Sequence, residues 1–303
     1  MKYCPFCGTP LMDEATFCTK CGRKIDTANG NESSEKGSNH TPDSKSFINR
    51  VYDYLGSDKE VKVNWQLLFS NVTKPHTTEE AELLFSCGTK ETTPDPSTIS
   101  TDFPRPWLYA RVFLGLIITF ILLWICCSAF SNSNALPGLI IVGSFMVPLS
   151  TMILFFEMNV WRNISFYKVL ITFFIGGCAS LVATLILFSI IPVEVETSYT
   201  KAFFIGLIEE VGKAVIVFYA IRKTKNPSLL NGLLIGSCVG AGFAAFESAG
   251  YAFNYWECAG FDAMMHTIYL RGFLAPGGHV AWAAITGAAI VIARKKSNSN
   301  TIS

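Results

Sequence analysis

Ionisable side chains interrupt the apolar C-terminal half of the sequence at three places, and these residues could carry out chemistry. The first group is Glu209, Glu210 and Lys213, and Glu247 and His279 follow further along the chain. Carboxylates and imidazole exchange protons near neutral pH, and both also bind divalent metals. Each charge at the centre of a membrane costs about 2.5–3.5 kcal/mol on insertion scales. We therefore interpret these residues as a candidate functional site.

The spacing within the first group leaves one acid without a charge partner. On a helix, Lys213 lies one turn from both Glu209 and Glu210, and one ammonium group neutralises only one carboxylate. The other acid must take a proton, bind a cation or be held by other helices and water. The alternative interpretation is that these polar groups only hold neighbouring helices together.

A second candidate site lies near the start of the chain. Cys4, Cys7, Cys18 and Cys21 follow the pattern C-x2-C-x10-C-x2-C. Each C-x-x-C pair can place two thiolates on one ion, so the four cysteines predict a closed, tetrahedral structural zinc site. A segment of about 25 residues has too few apolar side chains to fold without the metal. The alternative is four free or redox-active thiols.

The composition indicates the surroundings in which these residues act. Half of the 303 residues are hydrophobic and only 16% are charged, and the mean hydropathy is +0.36. This balance favours a membrane protein over a soluble domain. The 24 Lys and Arg residues nearly cancel the 23 Asp and Glu residues, so no overall basic charge points to a nucleic-acid partner.

Six apolar segments predict an all-α polytopic membrane protein with a small N-terminal zinc ribbon and a short soluble helical segment. Each is close to the roughly 20 residues that a helix needs to cross a lipid bilayer. The predicted spans are 107–130, 135–156, 168–191, 202–221, 229–253 and 273–293. The predicted domains are a zinc ribbon (1–25), a flexible linker (26–44), a soluble helical segment with a Pro-rich lead-in (45–106), the membrane domain (107–293) and a cytoplasmic tail (294–303).

The distribution of Lys and Arg predicts how these spans are oriented. Basic residues cluster before the first span, between the second and third, after the fourth and after the sixth; only Lys201 and Arg271 fall in the predicted opposite loops. Because basic loops stay in the cytoplasm, both termini are predicted to be cytoplasmic, in a cell-membrane protein. This compartment also keeps the thiols of the ribbon reduced.

The three polar groups are predicted to share one depth in the membrane. At about 1.5 Å of rise per residue, Glu209, Glu247 and His279 all lie within about 10 Å of the midplane, on its outer side. Small residues in the same spans permit close helix packing: Gly206, Gly212, Gly236, Gly240, Gly242 and Ala244. We therefore predict a common polar cavity that opens outward.

This arrangement resembles the PrsW family of bacterial intramembrane proteases, which is related to the CAAX prenyl endopeptidases. Three motifs carry the resemblance: Glu209-Glu210-x-x-Lys213 is similar to E-E-x-x-K, Phe243-x-x-x-Glu247 to F-x-x-x-E, and His279 followed by Gly287 to the third motif. The family often has Asn where this chain has Ser248. Because the prenyl endopeptidases have His at the position of Glu247, a membrane-bound protein is the favoured substrate.

The resemblance implies an intramembrane endopeptidase that cleaves a membrane-anchored protein, such as an anti-sigma factor, near the outer membrane face. Its implied catalytic set is Glu209, Glu210, Lys213, Glu247 and His279. We expect Glu209 to be the base, Glu210 and Lys213 to form a supporting ion pair, and His279 to polarise the carbonyl or position water. The same residues could instead hold a catalytic divalent metal. The weakly zinc-selective donor set favours the metal-free version.

Two functions of other classes are also compatible with the sequence. One is an ion- or proton-coupled transporter or membrane sensor that uses the buried acids without proteolysis. The other is a scaffold whose ribbon recruits a cytosolic partner. In a scaffold, replacing Glu209 or His279 would lower stability rather than activity.

Overall fold

The computed structural model describes residues 2–3, 10–11, 64–89, 91–95, 103–191, 198–225 and 227–300. The predicted zinc ligands Cys4, Cys7, Cys18 and Cys21, the linker 26–44 and the start of the predicted soluble helical segment lie outside these residues. Two short strands, β1 (Lys2–Tyr3) and β2 (Pro10–Leu11), pair antiparallel.

Helices make up nearly all of the remaining described residues. A short 3-10 helix lies at Trp65–Leu68, and π-helical turns occur at Thr172–Gly176 and at Pro276–Val280. The helices are α1 (Thr78–Phe85), α2 (Leu108–Ser128), α3 (Leu136–Met158), α4 (Phe166–Ile190), α5 (Ser198–Arg222), α6 (Leu229–Ala259), α7 (Phe261–Leu274) and α8 (Ala281–Asn300).

The chain is a multi-pass membrane protein. Within the described residues, five segments are long and apolar enough to cross a membrane: α2, α3 with its preceding turn, α4, α6, and the segment from α7 through α8. These correspond to five of the six predicted spans. Helix α5, the predicted 202–221 span, is 25 residues long but carries the charged motif, so the sixth span stays a prediction.

Local sequence signals set the ends of these helices. Ser228 caps α6 through a reciprocal capping box with Asn231, and Thr77 and Glu80 form the predicted capping box of α1. Gly260 joins α6 to α7 with φ = +85°, a conformation that favours glycine. Helix α6 continues to Ala259 and α7 begins at Phe261, so helix occupies most of the loop predicted between 253 and 273.

Helix α6 is the centre of the membrane domain, since 83% of its most apolar 18-residue stretch is buried. Glycines allow its backbone to touch two neighbours. A Cβ at Gly236 would collide with the carbonyl oxygen of Ala283 on α8, and one at Gly242 would collide with the carbonyl oxygen of Phe173 on α4. Close approach through these glycines agrees with the sequence prediction, whereas a Cβ at Gly206 would meet nothing within 4 Å.

The N-terminal end of α2 is held by a carboxylate from the end of α3. Glu157 accepts hydrogen bonds from the backbone N–H groups of Trp107, Leu108 and Tyr109 at 2.9–3.0 Å. These N–H groups have no partner within their own helix, and a negative charge is favourable at a helix N-terminus. Glu157 therefore fixes how the first membrane span enters the bundle.

The segment before α2 also packs against the membrane domain. Gly88 donates its N–H to the carbonyl of Arg162, and the Cys87 thiol donates to the carbonyl of Ile164 at 3.3 Å. Burial raises the pKa of the Cys87 thiol, so it remains protonated and able to donate. The described part of the predicted soluble segment is thus docked on the domain.

Candidate active site between α5, α6 and the α7–α8 turn

Helix α5 places one cation in the interior of the bundle. Lys213 is fully buried, and its ammonium group lies 2.5 Å from Oε1 of Glu210 and 4.5 Å from the centre of the Phe243 ring on α6. A buried ammonium ion requires such compensation. The predicted Glu210–Lys213 ion pair is therefore present, and it leaves Glu209 to interact with other helices.

His279 lies at the centre of the site because the chain changes direction just before it. Pro276, Gly277 and Gly278 form a π-helical turn, and Gly278 has non-helical backbone angles. This turn brings Nδ1 of His279 to 2.8 Å from the Lys213 ammonium nitrogen. This contact fixes the imidazole ring against α5.

Glu247 lies between the other ring nitrogen of His279 and an arginine. Nε2 of His279 lies 3.2 Å from Oε2 of Glu247, and the Arg271 guanidinium forms an ion pair with the same oxygen. Arg271 also donates from Nε to Oγ of Ser248 at 2.9 Å. One arginine thus holds two consecutive residues of α6 in place.

Arg271 is a site residue that the predicted catalytic set does not include. It was expected in a loop, but it lies on helix α7, which packs against α6. The eight-residue distance to His279 gave no reason to join it to Glu247. A lone basic residue in an apolar stretch was the only signal, because such a charge requires an acidic partner.

The structure brings together the three groups that the sequence placed at one depth. Glu209, Glu247 and His279 each offer one ligand atom, and these atoms lie within 4.8 Å of one another. Glu209 is also 3.8 Å from Nδ1 of His279. The side chains of Glu209, Glu247 and His279 keep 13%, 12% and 24% of their surface exposed, so the cluster is sheltered but reachable.

This donor set fits a divalent metal ion. Two carboxylates and one imidazole suit zinc, manganese or iron, and three protein ligands leave a position open for water. Three atoms bound to one ion at about 2.1 Å lie at most about 3.6 Å from one another, so groups within 4.8 Å must close by up to about 1.2 Å to share an ion. Both contacts of Glu247 described above use Oε2, so Oε1 is a candidate ligand atom.

The fold and the site together define a multi-pass membrane protein with a sheltered carboxylate–imidazole cluster. Residues 165–302 match the family described as PrsW family intramembrane metalloprotease, and residues 3–25 match a zinc-ribbon domain. The match identifies residues 165–302 as a PrsW-family domain, so the protein is a membrane-embedded peptidase. All five residues of the predicted catalytic set lie within this match. No curated protein and no solved structure matches the chain significantly.

Proposed function

We propose that this protein cleaves a membrane-anchored protein within the membrane, using water activated between Glu209, Glu247 and His279. The observation that carries the proposal is the convergence of these three side chains, from three separate segments, to within 4.8 Å. Each buried polar group has a cost in a membrane, and a packing role would not require them to share a single point.

We further propose that Glu209, Glu247 and His279 hold a divalent ion. Such an ion would lower the pKa of a bound water and polarise the peptide carbonyl. The metalloprotease description of the matched family and the ligand geometry favour this version over the metal-free mechanism in which Glu209 alone activates water.

The other polar residues keep the cluster in its working arrangement. Arg271 holds the Glu247 carboxylate through an ion pair, so that this side chain cannot rotate away from the cluster. Lys213 fixes the orientation of the His279 ring, while Glu210 neutralises the buried ammonium group. We assign Lys213, Glu210 and Arg271 as positioning residues.

We propose that α5 is the sixth membrane span. Its exposed apolar residues recur at helical spacing and can face lipid: Phe203, Leu207, Val211, Val215 and Phe218. Its charged residues Glu209 and Lys213 point into the bundle. A helix of 25 residues extends about 37 Å, which exceeds the roughly 30 Å hydrocarbon thickness.

With six spans, both termini lie on one side, and the Lys and Arg distribution places that side in the cytoplasm. Substrate cleavage would then occur toward the outer face, as the resemblance implies for an anti-sigma-factor-like substrate. The zinc ribbon, with Cys4, Cys7, Cys18 and Cys21 as proposed ligands of a structural zinc ion, would lie in the cytoplasm and could bind a cytosolic partner.

Single substitutions test the proposed peptidase site. Glu209→Gln, Glu247→Gln and His279→Ala should each abolish cleavage of a membrane-anchored reporter in cells, because each removes a group of the water-activating cluster. Protein abundance, measured on the same samples, should stay near that of the wild type. His266→Ala is the matched control, since His266 is exposed on α7 and should not affect cleavage.

Two results would contradict the proposal. Full cleavage by all three variants would exclude these residues from catalysis. Loss of abundance in parallel with loss of cleavage would favour the scaffold, in which the same residues only hold helices together.

Metal content distinguishes the two mechanisms. If Glu209, Glu247 and His279 bind an ion, purified full-length protein should contain one metal ion more per chain than the variant with all three replaced. The ribbon, unchanged in both proteins, contributes equally and cancels. Equal metal content measured by mass spectrometry would instead support the metal-free mechanism with Glu209 as the base.

A further inference from the structure

Two large aromatic side chains are exposed in the segment that precedes the first membrane span. Trp65 and Phe69, in and just after the 3-10 helix, expose 72% and 65% of their surface. Leaving two such rings in water is unfavourable. The contacts of neighbouring residues locate this segment relative to the first membrane span.

Hydrogen bonds and ring stacking hold this segment beside the start of α2. The Tyr109 hydroxyl donates to the carbonyl of Leu68 at 3.1 Å, and the ring of His76 stacks on that of Trp107 at 3.9 Å. Because α2 begins at Leu108, these partners belong to the first turn of a membrane span. The segment therefore lies at the level of the membrane surface.

One contact shows that the segment lies on the lipid-facing side of α2. Arg111 is exposed and shares a helix face with Leu114, Ile118 and Leu122, whose side chains are 58%, 51% and 58% exposed. This apolar face is the one that α2 presents to lipid. The Arg111 guanidinium donates to the carbonyl of Lys74 at 2.8 Å, so the chain at residue 74 passes directly over this face.

We propose that Trp65 and Phe69 insert into the interfacial region of the lipid bilayer and that the segment 64–76 is a membrane-surface anchor. Aromatic side chains favour this region, where lipid headgroups meet acyl chains. Lys74 belongs to this segment and Arg111 contacts it, so both positive charges lie at the same end of α2, where lipid headgroups would be reached. Because Arg111 links the segment to the exposed apolar face of α2, the bilayer is the occupant of the proposed anchor.

Photocrosslinking in the full-length protein tests the anchor. We would replace Trp65 or Phe69 by p-benzoyl-phenylalanine, which keeps an aromatic ring at an exposed position, and reconstitute the protein in nanodiscs of phosphatidylcholine with an alkyne-tagged fraction. After illumination, the tag reports the lipid adduct. Position Leu114 on the lipid-facing side of α2 is the positive control, and position Glu79, exposed on α1, is the matched negative control.

We expect lipid adducts at positions 65 and 69 several-fold above those at position 79 and comparable to those at position 114. Adducts at positions 65 and 69 no greater than at position 79 would overturn the proposal. Crosslinks from these positions to another part of the chain, or to a second copy, in place of lipid would overturn it as well. Either outcome would leave the proposed peptidase site untouched, since Glu209, Glu247 and His279 lie on other helices.

Discussion

The arginine on α7 is informative at the scale of single residues, because it acts on the site only through its neighbours. Arg271 contacts the carboxylate of Glu247 and the hydroxyl of Ser248 and stacks over the ring of Tyr251 at 4.4 Å. These contacts lie within about one turn of α6 and hold the guanidinium in a single arrangement. Groups that orient a ligand in this way are often as important as the ligand itself.

Replacing Arg271 by Gln should lower the cleavage rate by about 10- to 100-fold, the range seen for residues that orient metal ligands. The measurement is initial cleavage rate of purified protein at saturating substrate. Glutamine keeps a hydrogen-bond donor but is shorter than arginine and loses the charge. His266→Ala on the same helix is the control for nonspecific effects on α7.

A double-mutant cycle shows whether Arg271 acts through Glu247. In the Glu247→Gln background, which should be inactive, the further change Arg271→Gln should leave the metal content unchanged. A second, equally large loss of metal would mean that Arg271 has an independent role and would contradict the positioning assignment.

At the scale of elements, α6 positions the site by touching two helices at backbone distance. Gly236 and Gly242 face α8 and α4 respectively, and in each case a carbonyl oxygen occupies the place of a Cβ. Small residues of this kind are typical of helix contacts in membranes. The distance between α6 and α8 in turn sets the distance between Glu247 and His279.

Substituting Gly236 by Ala should therefore destabilise the protein by about 1–3 kcal/mol, as overpacking does in well-packed cores. Gly250→Ala, on the same helix, is the matched control, because a Cβ there meets nothing within 4 Å; it should be neutral or slightly stabilising, since Ala favours helix over Gly. Thermal unfolding in detergent measures both. An equal effect of the two substitutions would contradict the close contact.

The sequence predicts these helices well but predicts their partners poorly. Glu209, Glu247 and His279 could be placed at one depth, because rise per residue fixes height along a span. Their rotation about each helix axis and the identity of the facing helix depend on packing, which periodicity does not encode. For this reason the contacts of Arg271 and the capping role of Glu157 were missed, although both are ordinary charged residues in apolar surroundings.

At the scale of the whole molecule, the zinc-ribbon domain and the membrane domain have separate chemistry. The candidate cluster of Glu209, Glu247 and His279 is formed by α5, α6 and the turn before α8. The predicted ribbon site of four thiolates would be closed, without an open position for water. We therefore expect the ribbon to act in binding or regulation.

Removing residues 1–25 should leave the intrinsic cleavage rate unchanged, within about twofold, because the catalytic groups and their supports lie elsewhere. The comparison requires purified full-length and truncated proteins with the same substrate. Cys18→Ser in the full-length chain is the control that disrupts the proposed zinc site without shortening the chain. A large loss of rate in the purified truncated protein would show that the ribbon contributes to the active state.

The backbone at Gly277 is exposed beside the candidate site. A Cβ built there would find open space within 4 Å, two residues before His279 on the kinked turn. An extended polypeptide could run alongside this unhindered stretch, with its amide bond presented to the imidazole and the neighbouring acids. Because Gly277 has no side chain, the space beside it would set the width of substrate that fits. Enlarging residue 277 should therefore exclude bulky substrates while the helices remain as they are.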